Sequence, residues 1–361
     1  MQNSKLWNRI KNKLIQKSDK VLGIDIGTGS LKLTEISLKN ERPVVTKIAI
    51  ADFTDNLFED GRLVKPDELT SILQHQLSTG GFSSREAVIA IGGRAIFIRE
   101  VVFPQMSEEE LKEAIKWDME KYVPYAPDSF YYDFSIIGAA NNGLEMRVLL
   151  VAAPKYHIDA LVSVLKLAGL KPIAVDGEAF ALYRSIVKAE NSILVDIGHH
   201  MSQIIVYQQG IPTVTRIIPL AGQRFTEVIM NALDLDVSEA ERLKQRQQGL
   251  LPAVNHSFEY SDIHDQMLLL VQELAREIRR TVEFYQVQNK EANIEKVIIS
   301  GGGANLDNLV QHLNALLDIP ILLHNPADIV DYSVSYDHQY IKDIAPRIAV
   351  AVGLALRGGQ R

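Results

Sequence analysis

Three glycine-bearing turns, each following an apolar strand, hold the residues of this chain that could do chemistry. The first reads Asp25-Ile26-Gly27-Thr28-Gly29-Ser30, with Lys32 close behind. Glycines permit positive φ and let backbone N–H groups approach phosphate oxygens. The Thr28 and Ser30 hydroxyls add donors, and Lys32 adds a point charge. Asp25, at a strand end, suits Mg²⁺ held through water, because that ion keeps much of its hydration shell and needs few carboxylates. Taken alone, the stretch could equally be a plain Gly-Ser turn.

The second turn, Asp196-Ile197-Gly198, repeats the logic and offers a second carboxylate for the same ion. His199, His200 and Met201 follow, bulky where another small, hydroxyl-rich turn would be expected, so phosphate binds here less openly. The third, Gly301-Gly302-Gly303, ends the strand VIIS and is expected to open a helix, so that a sugar or base can lie on bare backbone. A lone glycine triplet says little. Three such turns in this order point to a cleft that clamps a Mg-nucleotide, with ATP and Mg²⁺ as the cofactors.

Those turns need elements to hold them. VLGIDIGTGSLKLTEI from Val21 and ILVDIGHHMSQIIVYQQG from Ile193 are versions of one another, each a strand, a polar turn and a returning strand. At 361 residues the chain is long for one core, so two lobes are expected. The first α/β unit spans 21–95, with a helix from Pro66 stopped at Gly80-Gly81. It is completed by 177–192 and 340–361. Residues 96–176 read β-α-β-β-α-β, an inserted α+β unit whose first helix opens with a Ser107–Glu110 capping box. The second lobe takes 193–237 and 294–339, with a helical part at 238–293. There Met267, Leu270, Val271, Leu274, Ile278, Val282 and Tyr285 form a core-facing stripe. A last helix is expected to begin at Pro346, with small residues at Ala351, Gly353 and Ala355 for close packing.

Composition closes off other chemistries. Without cysteine there is no thiolate nucleophile, disulfide or cysteine-bound metal, and the nine histidines have no metal-motif spacing. A net charge of −7 argues against nucleic acid as a partner. No apolar run approaches the ~20 residues of a membrane span, and Met1–Lys20 lacks a signal-peptide core, so a soluble, cytoplasmic protein is expected. Residues 1–20 form a basic arm with Leu6, Trp7, Ile10 and Leu14 at helical spacing. It is either a solvated start or a helix that makes weak contact with an anionic membrane surface.

These residues resemble the actin-like ATPase superfamily, a two-lobed α/β fold. The resemblance implies that Asp25 and Lys32 belong to the first phosphate turn, and Asp196, Gly198 and His199 to the second. Gly301–Gly303 would be the adenosine turn. Glu241 and Lys244 in SEAERLKQR would embrace ribose and base, though alone they could be an exposed ion pair worth ~0.2–0.5 kcal/mol. Gly222 stands where related proteins often have two glycines. Glu178 falls where some members position the attacking water, and would otherwise be a solvated helix-start acid.

Within the superfamily the chain is similar to the type IV pilus assembly family PilM, itself related to FtsA. EEELKEAIKWDMEKYVPY, VAAPKYHIDALVSVLKLAGLKPIAVD, GQRFTE, RRTVEFYQVQ and AVGLALRG carry that likeness. It implies an ATP-binding assembly protein at the inner face of the cytoplasmic membrane, with weak or partner-dependent ATPase at most. Its partner would be the cytoplasmic N-terminal segment of PilN, docked on the inserted unit beside Trp117, Tyr122 and Tyr125. Other pilus proteins or self-association are compatible. An FtsA-like filament protein, or a small-molecule kinase of the same fold, is the alternative.

Overall fold

The repeat seen in the sequence becomes a repeat of sheets in the computed structural model. It describes residues 20–359 apart from 41, 54–55, 189–190, 247–250, 252–261 and 290–292. The basic arm before Lys20 and part of the helical stretch 238–293 therefore lie outside the described residues. In the first lobe β1 (Lys20–Ile26), β2 (Ser30–Lys39) and β3 (Arg42–Asp52) form an antiparallel meander. In the second, β11 (Asn191–Ile197), β12 (Ser202–Gln208) and β13 (Ile211–Ile218) do the same. A small hairpin of β4 (Phe58–Glu59) and β5 (Arg62–Leu63) follows the first meander, and parallel strands extend each meander. β6 (Glu86–Ile91) and β10 (Lys171–Gly177) add to the first, β14 (Lys296–Ser300) and β15 (Ile321–Leu323) to the second. The short β16 (Asp331–Tyr332) closes the far edge against β3.

Register follows from burial. Val21, Leu22 and Ile24 are buried on both faces of β1, as a strand covered on two sides requires. One face meets α1 (Pro66–Thr79) through Leu69, Leu73 and Leu77. The other meets α9 (His338–Gly359), which approaches so closely that a Cβ on Gly23 would fall 2.0 Å from the Ala351 carbonyl. A core containing Val21, Val88, Leu194, Ile205, Ile298 and Ala349 runs between the sheets, so the lobes share apolar packing. In the second lobe the expected stripe is buried on α7 (Asp262–Gln288), from Met267 to Tyr285. Each such side chain contributes ~1.5–3 kcal/mol on leaving water.

Residues 96–176 divide differently from the sequence reading. Only β7 (Phe97–Pro104), α2 (Glu108–Tyr122), β8 (Phe130–Ala140) and β9 (Glu145–Pro154) make the separate unit, with sheet order β7-β9-β8. The capping box is present, Glu110 N–H donating to Ser107 Oγ at 3.2 Å and Ser107 N–H to Glu110 Oε2 at 2.8 Å. The helix α3 (Lys155–Leu167) and β10 belong to the first lobe. Val164 and Leu165 enter the core of Leu22, Leu33 and Leu73, and β10 pairs with β6. The β-α-β-β-α-β order is right, but the apolar face of α3 finds the larger core.

Two helix starts also differ. α9 begins at His338, not Pro346, because the Asp337 carboxylate caps it, accepting from the N–H groups of Gln339 at 2.9 Å and Tyr340 at 3.0 Å. Pro346 sits inside the helix, and its carbonyl accepts from Gly301 N–H at 3.1 Å, docking α9 on the glycine triplet. No α-helix starts at that triplet. A short 3₁₀ turn spans Gly302–Asn305, and the eight-residue α8 (Leu309–Leu316) begins only afterwards. The left-handed Asn308, φ 62°, breaks continuity between them.

Candidate functional site

A cleft of ≈ 1730 Å³ opens between the lobes, and every nucleotide, metal and catalytic candidate singled out from the sequence lines it. Asp25 and Lys32 face each other across the β1–β2 pairing and form an ion pair at 3.0 Å. The β11–β12 pairing places Gln203 opposite Asp196 in the same register. Gln203 is thus the second lobe's counterpart of Lys32. It donates its amide to Glu178 at the start of α4 (Glu178–Arg184). Aligning the two hairpins residue by residue exposes this signal.

Three carboxylates converge here. Burial, then the charges of Asp25 and Asp196, push Glu178 up to about 8. Asp196 is pushed up to about 6, chiefly by burial and then by Asp25, with Lys32 opposing. A buried cluster of like charges carries protons at neutral pH unless a cation neutralises it. The carboxyl of Glu178 lies where a side chain on Gly92 would be, since a Cβ there would fall 1.6 Å from Oε2. Gly92 was not legible as a site residue in the sequence.

The turns crowd one another, the first against the second between the lobes and the third against the second within its own sheet. A Cβ on Gly29 would lie 2.6 Å from Cγ of His199, and one on Gly301 would lie 2.8 Å from Asp196 Oδ1. Gly301 adopts φ +84°, the left-handed region that glycine reaches at no steric cost. Gly222, at the start of α5 (Gly222–Leu233), donates its N–H to the Gly198 carbonyl at 2.9 Å. Glu241 and Lys244 lie on α6 (Val237–Arg246). Lys244 Nζ reaches the Gly222 carbonyl at 3.0 Å, Thr226 Oγ1 at 2.7 Å and Glu241 Oε2 at 2.7 Å. The pair therefore ties α6 to α5 and, through Gly222, to the Gly198 turn, and is not a solvated surface bridge. Arg347 on α9 lies over Gly302 and ion-pairs with Asp52 of β3, a contact that the sequence did not announce.

Residues 23–359 match the family of type IV pilus assembly protein PilM. The chain belongs to that family. The solved PilM–PilN type IV pilus biogenesis complex contains a chain similar to it, 27% identical with TM-score 0.81, covering 95% of this chain and 99% of that one. FtsA of Bacillus subtilis (strain 168) is 23% identical over 77% of this chain and 67% of its own length. FtsA of Staphylococcus epidermidis is 23% identical over 53% of the chain, but only 44% of the relative is covered. MreB5 of Spiroplasma citri, solved bound to ADP, is 12% identical with TM-score 0.51 over 86% of this chain and 93% of its own. The fold is thus the actin-like ATPase fold. No helix among the described residues is long and apolar enough to cross a membrane.

Proposed function

We propose that this chain is an ATP-binding assembly module of the type IV pilus machinery. It works at the inner face of the cytoplasmic membrane and docks the cytoplasmic N-terminal segment of a PilN-like inner-membrane protein. The match along 95% of the chain to the PilM–PilN complex carries the reading.

The cleft fits a Mg-nucleotide by its own geometry. Side chains at Gly29, Gly198 or Gly301 would collide with His199 or with neighbouring backbone, so only glycine lets these turns approach one another this closely. Among the described residues no three His, Cys, Asp or Glu side chains are placed to hold a metal directly. Asp25 and Asp196 suit Mg²⁺ held through its water shell. Bound there, Mg²⁺ would neutralise phosphate charge. Lys32 then gives phosphates a cation, and the Gly301–Gly303 turn gives the nucleoside a bare wall. Glu178 would be the group that orients water. Kept protonated at neutral pH, it is a poor base, and hydrolysis by the isolated protein should be slow.

On the inserted unit, Trp117 is 80% exposed on α2, whereas Tyr122 and Tyr125 pack against the unit's core. An exposed indole is a suitable anchor for a short peptide. Calorimetry of the full-length chain with MgATP, and separately with a synthetic PilN N-terminal peptide, tests both halves. Saturable binding of each supports the proposal. A chain that binds neither is not this module.

A further inference from the structure

Resting on the nucleotide reading above, we propose that His199 takes up a proton as phosphate enters the cleft, which links nucleotide binding by this chain to pH. The argument begins with where the ring sits. His199 belongs to the second-lobe turn, yet its ring lies on Gly29 of the first-lobe turn. A Cβ added to Gly29 would be 2.6 Å from Cγ, 2.8 Å from Cβ and 3.0 Å from Cδ2 of the histidine. The ring therefore spans the gap between the two phosphate turns, where any group touching both must lie. Phosphates that enter must displace it or lie against it.

Its surroundings decide which charge state it holds. The neighbours on its own lobe are His200, edge-on with ring centroids 4.4 Å apart, then Lys244 and its partner Glu241. From the first lobe the charge felt is Asp52, which Arg347 already pairs. Of the cations here, Lys32, Lys244 and Arg347 each hold a carboxylate: Asp25, Glu241 and Asp52. A phosphate arriving among these paired charges finds His199 able to supply one more positive charge by protonation. Burial, His200 and Lys244 hold its pKa below the ordinary value, so the imidazole is neutral at pH 7. A phosphate oxygen within hydrogen-bond reach reverses that balance, because an anion favours the imidazolium. The proton comes from solvent and ends on a ring nitrogen, and no other bond changes.

Proton uptake is measurable apart from any turnover. MgATP is titrated in excess Mg²⁺ at pH 7 in two buffers of different ionisation heat, for wild type, His199→Gln and His200→Gln. Any protons lost from Asp196 and Glu178 as Mg²⁺ arrives have the opposite sign and are common to the variants, so the difference between proteins isolates His199. Wild type should take up between about half a proton and one proton more than H199Q, and H200Q, which keeps His199, should also take up more than H199Q. Wild-type affinity should fall as pH rises, by up to ~10-fold per pH unit between the empty and loaded ionisation points. H199Q should bind about 10-fold more weakly near pH 6, with a flatter pH profile. Equal proton counts for wild type and H199Q, with binding intact, overturn this inference and leave the nucleotide reading standing. Absence of MgATP binding by wild type at any pH overturns both.

Discussion

Replacing Glu178 by glutamine should stabilise this protein at neutral pH, and by an amount that depends on pH in a defined direction. The carboxyl sits over Gly92, accepts from Gln203, and is pushed up to about 8 from an ordinary 4.5 by burial and by Asp25 and Asp196. In the unfolded chain it ionises near 4.5, whereas the folded chain holds it protonated. A raised carboxylate pKa contributes stability fully present below pH 4.5 and lost as pH rises through 8. By pH 7 the interval above 4.5 is 2.5 pH units, which at about 1.4 kcal/mol each makes the loss roughly 3 kcal/mol. Glutamine matches the protonated acid in shape, can still accept from Gln203 and does not titrate. Glu178→Gln should therefore match wild type near pH 4.5 and gain steadily on it towards pH 8. Denaturant unfolding of both proteins across that range reads the difference directly. Parallel stability curves, or a glutamine variant less stable at pH 7, would mean that Glu178 is solvated and charged, and the argument for a proton-loaded cleft would fail with it.

Other consequences follow from named contacts. His324 is buried between Ser185 and Ser300 and held down to about 4, so its depressed pKa gives stability present above pH 6.5 and lost as pH falls through 4. His324→Gln should remove up to ~3 kcal/mol of that acid sensitivity, measured by unfolding between pH 7 and 4. Gly353→Ala should destabilise by ~1–3 kcal/mol or more, because its Cβ would fall 1.9 Å from the Ala181 carbonyl where α9 crosses α4. Thermal unfolding of that variant at the wild-type midpoint would show that the crossing yields. Phe97 pairs with Ala152 across β7 and β9, so a short glycine linker can replace residues 97–152 without opening the first lobe. The trimmed protein should keep MgATP binding and lose the PilN peptide. Peptide binding at wild-type affinity would move the docking surface elsewhere.

What the sequence decided by itself is local. An apolar strand ending in Asp-Ile-Gly must turn there, and the capping box at Ser107 must start a helix, since the groups that satisfy each backbone donor are three or four residues away. The same hairpin written twice was enough to propose two lobes around one cleft, and the chosen residues do line one cleft. Longer-range choices were not legible. The helix Lys155–Leu167 is amphipathic wherever it packs, and only the larger core beneath β1 and β6 draws it out of the inserted unit. Pro346 reads as a helix start because it lacks an N–H, but Asp337 caps the helix earlier and Gly301 uses the proline carbonyl. Gln203 and Gly92 look ordinary in sequence, and become site residues only when the sheets bring Glu178 between them. The proton on that carboxyl is decided by the tertiary structure alone, because desolvation and the charges of Asp25 and Asp196 arise only when strands from both lobes meet.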